Sequence, residues 1–110
     1  MKTATLMLLG LLLTGGIAAA DMSMSALDRA MTDEMTRMDK GMAAAPMTAD
    51  PDHDFMAMMI PHHQGAIEMA ESELQDGHDL RVKRLAREII VTQESEIQLM
   101  RSYLTSASHF

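Results

Sequence analysis

Asp54-Phe55-Met56-Ala57-Met58-Met59-Ile60-Pro61-His62-His63-Gln64-Gly65-Ala66-Ile67-Glu68-Met69-Ala70 is the stretch that decides the fold. Phe55, Met59, His62, Ala66, Met69 and Glu73 recur there at intervals of 4, 3, 4, 3 and 4. That period places them on one face of an α-helix. Asp50 followed by Pro51 is a good N-cap and first-turn pair, so the helix is expected to start there and run to about Gln75. Pro61 lies inside the pattern and is expected to kink the helix, freeing the carbonyl of Ala57.

The same period continues on both sides. Upstream, Met24, Leu27, Met31, Met35, Met38 and Met42 are spaced 3, 4, 4, 3 and 4. Ser23 or Ser25 can cap that helix, and Gly41 lies near its end. Residues 43–51 read as a loop. Downstream, Asp76-Gly77-His78-Asp79 reads as a tight turn, with glycine as the stop and Asp79 as the next cap. A third helix is expected to about Leu104, striped by Val82, Leu85, Ile89, Gln93, Glu96, Met100 and Tyr103. No strand alternation, Gly-rich phosphate loop or long repeat interrupts this pattern. The expected fold is an all-α, antiparallel three-helix bundle.

The N-terminus has a different character. Lys2 is followed by an apolar run from Leu6 to Leu13, then by Ala18, Ala19, Ala20 and Asp21. That is the layout of a signal peptide cut after Ala20, and the run is short for a bilayer span. A periplasmic or otherwise exported location is therefore expected. The divisions are 1–20 signal peptide, 21–49 Met-rich helix and loop, 50–105 two-helix core and 106–110 tail.

The formal net charge is −7, which repels nucleic acid and anionic lipid and attracts cations. Cysteine is absent, so any metal must be held without thiolates. Methionine is the outlier: 14 in the chain, of which Met1 and Met7 fall within the signal peptide. Leucine would specify a core better, because methionine is a flexible gap-filler. Either sulfur is wanted for itself, or methionine is simply the apolar residue used.

Short connections make sequential helices antiparallel. Register arithmetic then sets His62 opposite Gln93, Met59 opposite Glu96 and Phe55 opposite Met100. On the other side it sets His62 near Met31, Phe55 near Met38 and Met69 near Met24. Polar residues of the third helix thus fall beside histidines of the second, and buried polar groups need partners. Those partners are each other or a metal ion. Met58 and His62, like Met59 and His63, are four residues apart, on adjacent turns of one face. Thioether with imidazole suits Cu(I), whereas imidazole alone also suits zinc or Cu(II). Adjacent His62 and His63 point about 100° apart around a helix. His62 is therefore expected in the core and His63 at a rim or a partner chain. The competing reading of His62 is a core histidine hydrogen-bonded to Glu96 or Gln93.

The remaining groups point less sharply. His53 and His78 lie near helix ends, where solvated or capping roles are expected, and His109 lies in the tail. Met31, Met35 and Met38 belong to a stripe that reads first as core, and are secondary ligand candidates with Met58 and His53. Glu68, Glu71 and Glu94 read as a solvated face, and Ser72 and Ser95 as exposed helix positions. The Glu-x-x-His pairs of di-iron bundles are absent. No nucleophile or acid–base pair marks an enzyme.

The stretch from Asp54 to Ala70, with Leu85-Ala86-Arg87-Glu88-Ile89-Ile90 and Gln93, Glu96-Ile97 and Met100, resembles the signature of domain of unknown function family 305. The resemblance covers roughly residues 50 to 105. It implies a ferritin-like bundle in exported bacterial proteins, some of which bind copper or silver and are linked to metal tolerance. Carried over by position, it implies Met59, His62, His63, Met69, Gln93, Glu96 and Met100 as metal-site residues. The family often closes on Trp-Leu, where this chain has Tyr103-Leu104. This chain also has one helix before the motif, and a homodimer is one way to complete a bundle. The expected function is soft-metal sequestration, tolerance or delivery, with copper as Cu(I), Ag(I) as its analogue, and a periplasmic metal-handling protein as partner. The rival expectation is a small adaptor or chaperone that grips apolar partners through methionine.

Overall fold

A computed structural model describes residues 24–107. The expected signal peptide, Ser23 and His109 lie outside the described residues. Three helices follow one another: α1 (Ala26–Ala43), α2 (Pro51–Asp76) and α3 (Leu80–Ala107). They form the all-α antiparallel three-helix bundle that the periodicity implies.

Each helix begins where side chains can satisfy its free N–H groups. Ser25 and Asp28 make a reciprocal capping box at α1, with the Asp28 N–H donating to Ser25 Oγ at 3.0 Å. Asp50 caps α2 by accepting from the N–H groups of Asp52 and His53, with Pro51 in the first turn. Asp79 precedes α3 and accepts from the Arg81 N–H at 2.8 Å. Gly77 closes α2 with extended backbone, so its value there is space: a Cβ would collide with Glu73.

α2 runs unbroken through Pro61. Gly41 lies near the end of α1, two residues before Ala43. Its role is contact, since a Cβ at Gly41 would lie 2.9 Å from Pro61 Cβ. Gly65 does the same one turn further along α2, where a Cβ would lie 2.7 Å from Met38 Cβ. Two missing side chains thus let α1 lie close against α2.

These contacts correct the expected α1–α2 register by ten residues, because Met38 packs against Gly65 rather than near Phe55. Arg37 pairs with Glu68 at 3.1 Å, and Ser72 donates to Glu34 at 2.6 Å, in the same register. The reason lies in the linker. Thr48 donates its N–H and its hydroxyl to Asp54, at 2.7 and 2.8 Å, and so folds the loop back along the first turn of α2. The start of α2 therefore projects past the end of α1, and Phe55 is 58% exposed.

The inward face of α1 is also rotated from the methionine stripe. Glu34 is buried, whereas Met35 is 50% exposed. Leu27, Met31, Glu34, Met38 and Gly41 form the face that meets α2. α1 and α3 both pack on α2 but make no close backbone approach to each other. Among the described residues, the buried hydrophobic side chains are Ala70, Ala86, Ile97 and Met100. Among the described residues, no helix is long and apolar enough to cross a membrane.

Candidate functional site

The site forms midway along the α2–α3 hairpin, where His63 meets α3 and His62 stands beside it. His63 Nε2 lies 2.5 Å from Glu96 Oε2. Glu96 was expected opposite Met59, so the α2–α3 pairing is displaced by one turn. The displacement sets Met59 level with Met100, which is buried. His63 is not at the rim: its side chain is 13% exposed, and its ring centroid lies 5.7 Å from that of His62. The two imidazoles lie side by side, tilted 57° to each other.

The polar atoms here are incompletely satisfied. His62 Nδ1, His63 Nδ1 and Gln93 Oε1 are buried without a hydrogen-bond partner. Buried polar groups in folded proteins are overwhelmingly paired, so these three atoms are open to a further partner. The competing reading of His62, a core histidine satisfied by Glu96 or Gln93, is not what the geometry gives: Glu96 goes to His63, and His62 Nδ1 stays unpartnered.

The remaining predicted residues separate into groups. Met58 and Met59 are half-buried beside the histidines in sequence. Met69 lies two turns from His62 and lines, with Met31, Ala66, Val82, Leu85 and Ile89, an apolar groove of about 310 Å³ between α1 and α3. Met38 is committed to Gly65, and Met35 faces outward. His53 pairs with Asp54 at 3.4 Å near the α2 N-terminus, and His78 is exposed at the turn. Among the described residues, no three His, Cys, Asp or Glu side chains come together as a set that could hold an ion. The donors here are two adjacent imidazoles, with the thioethers of Met58 and Met59 three to five residues before them in the helix. That set fits a soft ion better than one wanting several carboxylates.

Two polar features escape a pattern-based reading. Glu34 is buried in the α1–α2 interface, with one carboxylate oxygen on Ser72 and the other unpartnered. Its place, three after Met31 and four before Met38, was the available signal. Asp54 clasps the linker, and the Thr48 N–H is the first cause that holds its carboxyl below the ordinary carboxylate range. Ser25 lowers Asp28 in the same manner, and Arg81 lowers Asp79.

Fold and site together define a small all-α bundle protein with a histidine–methionine cluster in a helical hairpin. The family model described as Domain of unknown function (DUF305) matches residues 9–104, and the chain belongs to that family. A relative from Acanthamoeba polyphaga mimivirus, named "Uncharacterized protein L153", is 42% identical over 53 residues. The match covers 48% of this chain and 35% of that relative, so the chain spans well under two thirds of its length.

Proposed function

We propose that this protein binds a soft metal ion, copper above all, in the periplasm, for sequestration, tolerance or delivery to a metal-handling partner. The observation that carries the reading is the pair of buried, unpartnered Nδ1 atoms on His62 and His63. A Lewis acid would satisfy both lone pairs at once. Met59 is three residues before His62 and four before His63, which makes its thioether the nearest soft donor on the same helix. Met100, level with Met59 in the α2–α3 pairing and buried, would supply a second from α3. Imidazole and thioether together select Cu(I) and Ag(I) over zinc. The net charge of −7 attracts the cation. Met69 and Met31, in the groove, would serve a transfer route rather than the primary site.

The test is an anaerobic titration of the mature chain with Cu(I), Ag(I), Cu(II) and Zn(II), read by native mass spectrometry. One Cu(I) or Ag(I) per chain, retained in preference to Zn(II), is the expected result. Preference for Zn(II), or no retention of any of the four, contradicts it. The apolar groove favours the rival reading, a chaperone for apolar partners, which predicts peptide binding insensitive to a Cu(I) chelator.

The same proposal includes a homodimer. Val82, Leu85, Ile89, Thr92, Glu96, Leu99 and Tyr103 run along α3 at intervals of 3, 4, 3, 4, 3 and 4. Leu85 is 55% and Leu99 67% exposed, so the seam keeps apolar surface open, although Val82, Leu85 and Ile89 also line the groove and Glu96 meets His63. About a two-fold axis at Thr92, Leu85 falls opposite Leu99, and Val82 opposite Ser102, next to Tyr103. An isologous contact needs that self-matching, and it singles out a second copy as the occupant.

A further inference from the structure

We infer that Glu96 is a positioning residue for His63, and that His63 takes the metal through Nδ1. The inference rests on the metal-binding reading above and assigns the roles within that site. An ionised carboxylate only accepts hydrogen bonds. The contact between His63 Nε2 and Glu96 Oε2 therefore places the proton on Nε2, with Nε2–H donating. In the neutral ring Nδ1 then carries the lone pair, and Nδ1 is the atom left buried and unpartnered. Tautomer, ring orientation and free donor are fixed by one contact.

Its placement suits the role. Glu96 stands on α3 and His63 on α2, so the contact also ties the hairpin at the height of the site. The Glu96 side chain is 49% exposed, on the outer side of a ring that is itself nearly covered. The carboxylate lies against one ring nitrogen, and the open donor is the other. A carboxylate that accepts the second N–H of a ligating histidine raises that ligand's basicity and holds its plane, and losing such a partner typically weakens metal affinity 10- to 100-fold. Glu96 thus moves out of the ligand set that the sequence resemblance implies. The first coordination sphere is left to imidazole and thioether.

Long-range ¹H–¹⁵N NMR on the metal-free protein and after Ag(I) addition reads the assignment directly. The metal-free chain should show His63 as the Nε2–H tautomer. Ag(I) should then move the ¹⁵N resonance of His63 Nδ1 while Nε2 stays protonated. Glu96→Gln keeps an oxygen to accept the N–H and should hold Ag(I) within a few-fold of wild type. Glu96→Ala should lose about 10- to 100-fold, with helical circular dichroism unchanged. Coordination through His63 Nε2, or a Glu96→Gln variant as weak as Glu96→Ala, would overturn the positioning role and leave metal binding standing. No imidazole response to Ag(I) in the wild type would remove both.

Discussion

Gly65 carries more of the α1–α2 interface than any side chain could. Its missing Cβ is occupied by Met38, whose Cβ would lie 2.7 Å from one placed there. That neighbour is the rigid root of a side chain, so the helix itself must move. Gly65→Ala should destabilise the chain by about 1–3 kcal/mol through overpacking, read as a lower urea midpoint with little change in slope. Asp54 makes a prediction of a different kind. Its pKa is depressed in the fold, so its contribution is complete above the ordinary carboxylate pKa and is lost as pH falls through the depressed value. Asp54→Asn should therefore be less stable than wild type by a constant margin near neutrality. That margin should shrink in strongly acidic solution, and a margin that grows on acidification would contradict the clasp. The methionine-rich stripe made α1 legible as a helix but not which residue faced inward. Glu34 takes the central position because Ser72 can satisfy it, a fact no periodicity contains.

At the level of elements, helix existence and starts were written locally. Ser25, Asp50 and Asp79 each stand where a free N–H needs an acceptor. Truncating the Asp50 cap with Asp50→Ala should cost roughly 1 kcal/mol, measurable by thermal or urea unfolding. Register was not local. The expected meeting of Phe55 with Met38 assumed that the linker simply reverses the chain. Thr48 on Asp54 folds it back along α2 instead, displacing α1 by nearly three turns. The α2–α3 hairpin has a shorter turn, and its register moved by only one. That smaller error was enough to exchange the partner of Glu96 from Met59 to His63. The polar residues of α3 were thus legible as neighbours of the histidines, whereas the atoms that meet were not.

Across the whole molecule, the bundle is open on one side. α1 and α3 flank α2 without a close backbone approach to each other, and an apolar groove lies between them. The exposed seam on α3 extends that apolar surface. Sedimentation velocity of residues 21–110 should show a dimer at micromolar concentration. Leu85→Glu with Leu99→Glu should yield a helical monomer, and a wild type that stays monomeric at high concentration would exclude the seam as an interface. The central claim concerns the hairpin, where two adjacent histidines hold buried, unpartnered nitrogens. Its most direct measurement is an anaerobic Cu(I) titration against a competing chelator, comparing wild type with the His62→Ala, His63→Ala double variant. A helical double variant whose Cu(I) affinity has fallen by at least about 100-fold, roughly 2.7 kcal/mol, is the predicted result; unchanged affinity would contradict the account.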